Sequence, residues 1–271
     1  MPGVKKSIDF NGGKIIYYDN GDGDGDAIIL LHGYLESSEV WDDFVPDLAE
    51  KFRVIAIDLP GHGESGVFGN EHSMEFMADV VIAVMNEEGI EKVMLTGHSM
   101  GGYAALAFVE KYPSRLNAYC LFHSHPFADT DEIIINRKRE IRVVKSGKKD
   151  IIYPVNIPKM FADFNTEKFS AQLDRNKEIA SRIPADGIIA VINGMISRPS
   201  RINILEKGDI PLLMIFGMHD NYIPFGEVKD RITLPENAEI LVLEKSGHLG
   251  FIEEKEKSQK ALIKFFNKQL K

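Results

Sequence analysis

Residues 95–103, LTGHSMGGY, place one serine between two glycines at the point where an apolar run ends. A side chain at the apex of a sharp strand-to-helix turn needs neighbours without bulk, and Gly97 and Gly101 meet that need. The run before Ser99, residues 92–99, is typical of a buried strand, and the residues after it have helical spacing. This stretch therefore predicts a strand, a tight turn that projects Ser99, and a helix.

The same alternation of apolar run and helical pattern extends over most of the chain. Short apolar runs that end in glycine or polar residues are typical of parallel strands buried on both faces. They occupy residues 27–33, 53–63, 92–99, 116–123, 210–220 and 238–248. Helices are predicted after them, the first over residues 37–52 and the second from the N-cap Ser73 to Gly89. We predict an α/β fold with a mostly parallel, doubly wound sheet that helices cover on both faces.

Three segments depart from this alternation. At the start, KSIDF, NGG and KIIYYDN predict a β-hairpin. Residues 20–26, NGDGDGD, are expected to form an exposed turn. Residues 126–205 are polar and helical and are broken by Pro154, Pro158, Pro184 and Pro199. We expect them to form a helical cap inserted into a core of residues 1–125 and 206–271.

The composition limits the class of protein. The chain has 271 residues, of which 44% are hydrophobic and 27% charged, as in ordinary globular proteins. No run approaches the roughly 18 apolar residues of a membrane-spanning helix, so we expect neither an export signal nor a membrane anchor. The net charge of -9 disfavours nucleic acid as a partner. The single cysteine, Cys120, fits a reducing cytoplasm, whereas nothing in the sequence indicates the oligomeric state.

A serine hydroxyl is a poor nucleophile alone, so Ser99 requires a histidine to take its proton and a carboxylate to hold that histidine. Asp220 and His248 stand at two further strand ends, where sites in parallel sheets lie. The chain order serine, aspartate, histidine is the one expected of Gly-x-Ser-x-Gly hydrolases. The backbone N–H groups of Tyr34, after the first parallel strand, and Met100, at a helix N-terminus, are candidates for an oxyanion hole.

With these pieces in one order, the chain resembles α/β-hydrolase fold proteins that carry a helical cap. The resemblance covers nearly the whole length and rests on HGY (32–34), DLPGHGES (58–65), GHSMGG (97–102), GMHDNYIP (217–224) and SGHLGFIEE (246–254). It implies that Ser99 is the nucleophile, His248 the general base and then acid, and Asp220 its orienting carboxylate. It also implies that the N–H groups of Tyr34 and Met100 form the oxyanion hole, and that no metal or organic cofactor takes part.

The implied activity is hydrolysis of a carboxylic ester or thioester of a small or acyl-chain substrate through an acyl-serine intermediate. C–C bond hydrolases, lactonases and cofactor-free haloperoxidases share the fold and triad, and some proteins of the fold bind small ligands without catalysis, so these alternatives stay open. Residues 126–205 hold 14 Lys and Arg against 10 Asp and Glu. Their basic stretches NRKRE and SGKKD would suit an anionic or carrier-bound substrate, although we favour solvated helix faces.

Four further histidines are candidates for the substrate pocket. His123 and His125, in HSHP, depart from the pattern expected at that place. A His-x-His pair can ligate a metal, but no third ligand has suitable spacing, so we expect these residues to line or gate the pocket without a metal. His32 and His98 flank the oxyanion turn and the nucleophile. We expect both to border the pocket and to fix the loops by hydrogen bonds.

Overall fold

An eight-stranded sheet forms the centre of the protein in a computed structural model that describes residues 3–21 and 26–270. Residues 22–25 of the predicted NGDGDGD turn lie outside the described residues. The strands are β1 Val4–Phe10, β2 Gly13–Asn20, β3 Ala27–Leu31, β4 Arg53–Ile57, β5 Val93–His98, β6 Leu116–Phe122, β7 Leu212–Gly217 and β8 Ala238–Leu243. Their order is β1-β2-β4-β3-β5-β6-β7-β8.

Six of these strands, β3 to β8, are parallel to one another, and β2 pairs antiparallel with β4, which confirms the predicted mostly parallel sheet. The predicted hairpin is confirmed as β1 and β2, which pair antiparallel from Val4 with Asp19 to Phe10 with Gly13. Its turn residues Asn11 and Gly12 have φ of 45° and 83°. Two positive φ angles are what a two-residue hairpin turn requires for its twist to match the strands.

Helices connect and flank the strands. They are α1 Val45–Ala49, α2 Met74–Glu87, α3 Met100–Lys111, α4 Asp131–Lys145, α5 Tyr153–Asn156, α6 Ser170–Arg182, α7 Ala185–Ser197, α8 Ile202–Lys207, α9 Phe225–Lys229, α10 Gly250–Glu253 and α11 Lys255–Gln269. Short 3₁₀ turns occupy Ser38–Trp41, Pro113–Arg115, Lys149–Ile151, Ile157–Met160 and Asp163–Asn165. Against the sheet, α2 packs on α3 and α1 packs on α11.

Local signals explain where these helices begin. The hydroxyl of Ser73 accepts a hydrogen bond from the N–H of Phe76 at 3.1 Å and so caps α2 as predicted. The helix predicted over residues 37–52 is wrong as a single element, because the chain forms a 3₁₀ turn and then the short α1. Pro46 lies in the first turn of α1, and its missing N–H prevents a continuous helix from running through it.

The stretch predicted to form the cap, residues 126–205, contains α4 to α7 and the start of α8, and α4 packs against α7. Among the described residues no single helix is long and apolar enough to cross a membrane. By length and composition alone, α6 and α7 together would pass the same test, but they meet at an angle of 97°.

Strand burial explains how the sheet positions a site. All residues of β3 and β5 are buried, since these strands lie in the middle of the sheet with helices on both sides. Their apolar side chains hold the strands in place, so the residues just after each strand lie at one edge of the sheet. Ser99 follows β5, His123 follows β6, and Asp220 and His248 follow β7 and β8.

Candidate active site

The turn between β5 and α3 holds Ser99 in a backbone conformation that L residues rarely adopt, with φ of 50°. A Cβ on Gly97 would lie 2.2 Å from the carbonyl oxygen of Gly101, and a Cβ on Gly101 would lie 2.5 Å from that of Leu31. Neither position can therefore carry a side chain. The N–H of Ser99 donates to the carbonyl of Phe122 at 2.9 Å, which fixes the turn against β6.

Asp220 and His248 form a buried pair at the neighbouring strand ends. Oδ2 of Asp220 accepts from Nδ1 of His248 at 2.7 Å, and Oδ1 accepts from the backbone N–H groups of Tyr222 and Ile223 at 2.8 and 2.9 Å. A carboxylate held by these donors keeps the proton of the neutral imidazole on Nδ1. Nε2 of His248 is then left with a free lone pair.

Opposing forces shift the pKa values of this pair. Burial lowers the pKa of His248, but the charge of Asp220 and its hydrogen bond outweigh burial, so the pKa lies above the ordinary histidine value. Burial raises the pKa of Asp220, but its two histidine neighbours outweigh it, and the net pKa lies well below the ordinary range. Asp220 therefore remains a carboxylate across the physiological pH range.

Ser99 and His248 both line a cavity of about 360 Å³. The other lining residues are Tyr34, Leu35, Tyr103, His125, Asp129, Ile133, Asn136, Arg137, Glu140, Asn156, Met160, Met195, Asn221, Tyr222 and Ile223. Among the described residues, the backbone N–H groups of Tyr34 and Met100 have no backbone acceptor in the turns and loops. Met100 is the first residue of α3, where N–H groups lack intrahelical acceptors.

One wall of the cavity comes from α4 and the loop before it. Nε of Arg137 donates to Oδ2 of Asp129 at 2.6 Å, and Nη2 of Arg198 lies 2.8 Å from Oδ1. Burial raises the pKa of Asp129, but the two guanidinium groups outweigh it and hold the pKa below the ordinary value. Asp129 is thus an ionised carboxylate between two cations.

A second polar contact crosses the cavity mouth from α4 to the turn after β3. The hydroxyl of Tyr34 donates to Oε1 of Glu140 at 2.7 Å. Burial raises the pKa of Glu140 above its ordinary value, although Tyr34 and Arg137 act in the opposite direction. The turn that carries the N–H of Tyr34 is therefore tied to the helical segment above it.

Of the four histidines expected to border the pocket, His32, His98 and His123 are absent from the cavity lining and are fully buried behind it. His32 donates from Nδ1 to the carbonyl of Gly33 at 2.8 Å and accepts at Nε2 from the N–H of Leu59 at 3.0 Å. These contacts fix the turn after β3, which is the loop role expected for this residue.

His98 joins the same turn to the loop of His248. Its Nε2 donates to the carbonyl of His248 at 2.8 Å, and its Nδ1 lies 2.9 Å from Oε2 of Glu36. The same carboxylate oxygen accepts from the N–H of Gly33 at 2.5 Å. Sequence reasoning missed Glu36, although an acid four residues after a histidine at a strand end was a visible signal.

His123 lies beside Asp220 instead of in the pocket lining. Its Nδ1 is 3.3 Å from Oδ2 of Asp220, and its Nε2 accepts from the N–H of Gly250 at 3.0 Å. The backbone N–H of Gly217 also faces Nδ1, at 3.1 Å, and only one of these two contacts can be a hydrogen bond at that atom. Burial lowers the pKa of His123 to about 4, so the ring is neutral near pH 7.

His125 does line the cavity, as expected. Its Nδ1 accepts from the N–H of Phe127 at 3.2 Å, and its Nε2 lies 3.3 Å from the hydroxyl of Tyr103. Burial, assisted by the charge of Arg198, lowers the pKa of His125 to about 3. The rings of His123 and His125 thus serve separate contacts instead of converging as a pair.

In the part of the chain that the structure describes, one group of residues offers ligand atoms close enough for a metal ion. Nitrogen and oxygen atoms of His123, Asp220 and His248 lie within 4.8 Å of one another. However, Asp220 uses both carboxylate oxygens for hydrogen bonds, and a metal would have to displace the proton between Asp220 and His248. The donor set therefore fits a hydrogen-bonded triad better than a metal centre.

The loop of His248 is held by a carboxylate that sequence reasoning also missed. Glu253 accepts from the N–H groups of Gly247 and Ala162 at 2.7 and 2.9 Å and from the side-chain amide of Asn165 at 2.7 Å. The N–H of His248 itself donates to the carbonyl of Met160 at 2.6 Å. Residues 160–165 of the predicted cap thus form part of the support for His248.

Comparisons with known proteins agree with this fold. A family model described as alpha/beta hydrolase fold matches residues 26–139. The chain is 28% identical over 262 residues to the dihydrolipoyllysine-residue acetyltransferase component of an acetoin cleaving system from Pseudomonas putida, with 95% of this chain and 68% of that protein covered. It is 28% identical over 255 residues to a pimeloyl-[acyl-carrier protein] methyl ester esterase from Aeromonas hydrophila, with 85% and 91% covered.

Among solved structures, a thermophilic esterase from Thermogutta terrifontis with malate bound superposes with a TM-score of 0.92. The two chains are 28% identical, and the alignment covers 98% of this chain and 99% of that one. The strand order, the turn at Ser99 and these matches together show that the chain has the α/β-hydrolase fold. The protein is a hydrolase.

Proposed function

We propose that the protein hydrolyses a carboxylic ester or thioester of a small polar substrate through an acyl intermediate on Ser99. The observation that carries this proposal is the pair of His248 and Asp220. The 2.7 Å hydrogen bond keeps the imidazole proton on Nδ1, so the basic Nε2 is available on a residue that shares a cavity with the Ser99 hydroxyl.

In the proposed reaction, Oγ of Ser99 attacks the carbonyl carbon while Nε2 of His248 takes the hydroxyl proton. The tetrahedral intermediate collapses when His248 returns that proton to the leaving oxygen or sulfur. Water then attacks the acyl-enzyme with His248 again as base, which releases the acid and restores Ser99. The structure has no hydrogen bond between Ser99 and His248, and such contacts often tighten only when substrate binds.

The negative charge that develops on the carbonyl oxygen needs donors already in place. We assign this role to the backbone N–H groups of Tyr34 and Met100, which have no backbone acceptor in the turns and loops of the described chain. Preorganised N–H groups in a site that excludes water stabilise such an oxyanion by several kcal/mol, about 3 to 4 for one donor in known enzymes.

The lining of the cavity supports a small polar substrate over a long acyl chain. Asp129, Asn136, Arg137, Glu140 and Asn156 contribute polar groups around a volume of about 360 Å³, at the small end of ligand sites. A long alkyl chain would displace water from the polar atoms of this lining that the ion pair of Asp129 and Arg137 and the contact of Tyr34 with Glu140 do not satisfy, which costs free energy for each of them.

A carrier-bound anionic substrate has weaker support. The relative from Aeromonas hydrophila is named for a carrier-protein ester. In this chain, however, two cations of the basic stretches are already committed. Arg137 pairs with Asp129, and Nζ of Lys149 donates to the carbonyls of Ser181 and Ile183 at 2.9 and 2.8 Å. We therefore favour a free small ester over a carrier-bound one.

Labelling with a fluorophosphonate probe tests the proposed nucleophile. We expect a covalent adduct on Ser99 in the native protein and none in Ser99→Ala, while Ser200→Ala, at an exposed serine, serves as the matched control and keeps the adduct. Circular dichroism would verify that Ser99→Ala stays folded. Absence of an adduct on native protein, together with tight ligand binding by Ser99→Ala, would favour the non-catalytic binding alternative.

The bond that is cleaved is tested with a panel of p-nitrophenyl esters, acyl thioesters, lactones and vinylogous 1,5-diketones at equal concentration. We expect the largest kcat/KM for the short-chain esters or thioesters. Preferential cleavage of the diketones or lactones by native protein, lost in Ser99→Ala, would instead establish the C–C hydrolase or lactonase alternative. Halide-dependent peroxidation tests the haloperoxidase alternative in the same way.

A further inference from the structure

Tyr103 lies on the same face of α3 as Ser99. It follows Ser99 by four residues, which puts it one helical turn away. Both residues line the cavity, and Tyr103 is 93% buried, with a relative exposure of 7%. A substrate bound to Ser99 would therefore extend past the Tyr103 hydroxyl.

The hydrogen bonds of His125 determine what that hydroxyl can do. The N–H of Phe127 points at Nδ1 of His125 from 3.2 Å, and a backbone N–H can only donate. Nδ1 must therefore be the unprotonated acceptor. Since the pKa of His125 is lowered to about 3, chiefly by burial, the ring is neutral and its single proton lies on Nε2.

Nε2 of His125 lies 3.3 Å from the oxygen of Tyr103. With the proton on Nε2, His125 donates and the Tyr103 oxygen accepts. The proton of the Tyr103 hydroxyl must then point elsewhere, and among the described residues it has no acceptor in the protein. A hydroxyl that has no protein acceptor, on a residue that is nine-tenths buried, is a feature that needs a partner.

Two contacts hold the Tyr103 ring in this orientation. The guanidinium of Arg198 lies over the ring, with its carbon 4.0 Å from the centroid. The ring centroid is 5.2 Å from that of His125. Arg198 is itself fixed by Asp129 at 2.8 Å, so the hydroxyl is held in a defined place on the cavity wall.

We propose that the Tyr103 hydroxyl is a hydrogen-bond donor subsite, and that the physiological substrate carries an oxygen acceptor, such as an ether, carbonyl or hydroxyl oxygen, close to its scissile ester. This inference rests on the proposed hydrolase function, which supplies the bound geometry at Ser99. The N–H of Phe127 donates to His125, and His125 donates to the oxygen of Tyr103. These two hydrogen bonds leave the proton of the Tyr103 hydroxyl free to point into the cavity.

Esters that differ by one oxygen atom test the subsite. The first series is p-nitrophenyl hexanoate and its analogues in which an ether oxygen replaces one methylene at successive positions of the acyl chain. The second series places the same replacement along the alcohol chain of hexanoate esters. At one position we expect kcat/KM to exceed that of the methylene compound by roughly 5- to 20-fold, the value of one satisfied buried donor.

Two conservative variants test whether the Tyr103 hydroxyl causes the preference for the ether compound. Tyr103→Phe keeps the ring under Arg198 and should bring the ether-to-methylene ratio to near 1. Tyr222→Phe is the matched control, because Tyr222 also lines the cavity but its hydroxyl already donates to the carbonyl of Asn156 at 2.9 Å. The ratio in Tyr222→Phe should equal that of the native protein.

Ratios near 1 at every position in the native protein would overturn the subsite while leaving the hydrolase proposal intact. A preference that survives in Tyr103→Phe would also overturn it. If no ester is hydrolysed faster than by Ser99→Ala, the proposed function fails. The subsite is then judged by calorimetric binding of the same ether and methylene esters to Ser99→Ala, where equal affinities would refute it.

Nitrogen-15 spectra of the histidine rings provide a measurement that does not depend on turnover. We expect the signals of His125 to show a protonated Nε2, an unprotonated Nδ1 and no titration between pH 5 and pH 8, since its pKa is lowered to about 3. A proton on Nδ1 would contradict the assignment, because Tyr103 would then donate to His125 and have no proton for a substrate.

Discussion

The two sides of the cavity are held in different ways. On the sheet side, Ser99, Asp220 and His248 are fixed by the backbone, through N–H groups that bind Asp220 and through a carbonyl of β6 that binds Ser99. On the α4 side, Asp129, Arg137 and Arg198 are fixed by one another through charged side chains. The sheet side therefore has a geometry that the fold imposes, whereas the α4 side has one that its own side chains create.

This difference gives catalysis to the sheet side of the cavity and substrate selection to the α4 side. Catalytic groups must be positioned to a fraction of an ångström, and backbone hydrogen bonds at strand ends supply that precision. Side-chain ion pairs can be exchanged for others without disturbing the sheet, so the α4 side can change the substrate while the reaction stays the same. We expect damage on the sheet side to lower kcat, and damage on the α4 side to affect stability and KM.

The largest effect is expected from Asp220→Asn on the sheet side. The amide cannot accept the Nδ1 proton as the carboxylate does and favours the wrong tautomer of His248, so kcat should fall by about 10³- to 10⁴-fold for a p-nitrophenyl ester. Loss of the charge also removes the cause of the raised pKa of His248, so the rising limb of activity with pH should move to lower pH.

Asp209→Asn is the matched control for that change, because Asp209 is exposed and pairs with Lys207 at the surface. Its kcat should stay within experimental error of the native value. A loss of less than tenfold in Asp220→Asn would show that another carboxylate orients His248.

A smaller effect, on stability, is expected from Asp129→Asn on the α4 side. Two guanidinium groups, of Arg137 and Arg198, would lose the buried carboxylate between them. Removing one partner of a buried pair costs about 3 to 5 kcal/mol of unfolding free energy, and urea denaturation would measure it. Activity per folded molecule should show a raised KM with kcat changed by less than Asp220→Asn changes it.

Asp131→Asn, on the exposed first turn of α4, gives the comparison for this variant. Its unfolding free energy should change by only about 0.5 kcal/mol, since the carboxylate serves mainly the helix dipole. Equal destabilisation by the two substitutions would mean that the ion cluster contributes nothing beyond surface charge.

The smallest effect, counted per histidine and per pH unit, is a pH dependence shared by both sides. His123 below the triad and His125 on the wall have pKa values lowered to about 4 and about 3, chiefly by burial, whereas unfolded histidine titrates near 6.5. Below pH 6.5 these two histidines bind protons in the unfolded chain, whereas in the folded chain they stay neutral until the pH approaches their lowered pKa values. The unfolding free energy should therefore fall by about 1 kcal/mol per pH unit for each histidine as pH drops from 6.5 towards 4.

Denaturation curves at several pH values measure this slope. His125→Gln should reduce it by the contribution of one proton, whereas Ser200→Ala, at an exposed residue that does not titrate, should leave it unchanged. An unaltered slope in His125→Gln would show that His125 is already charged in the folded protein.

Sequence patterns predicted the parts of the protein that depend on local chemistry. Apolar runs predicted the strands, and the glycines around Ser99 predicted the turn, because contacts as short as 2.2 Å exclude side chains there. The predicted order of Ser99, Asp220 and His248 placed three groups at strand ends that the parallel sheet brings together. The prediction of one helix over residues 37–52 was wrong because Pro46 interrupts it. This proline is a local signal, but the prediction followed the apolar spacing instead.

The hydrogen-bond partners of these histidines, and their absence from the cavity lining except for His125, could not be predicted in this way. His32, His98 and His123 stand in sequence next to the site, but the direction of each ring depends on acceptors from distant segments. His98 reaches Glu36 and His248, which are 62 and 150 residues away. No spacing rule connects such positions, since their proximity arises from how loops of different strands pack.

LTGHSMGGY by itself determined that this chain forms a strand, a strained turn and a helix, because steric exclusion acts between residues a few positions apart. The groups that surround Ser99 in the cavity were determined only by tertiary structure. The cavity takes its walls from α4, from the loop before it and from the turns after β3 and β7, and its charges are set by pairs such as Asp129 and Arg198. Burial and charge act through space, so the substrate that fits above Ser99 depends on the folded chain.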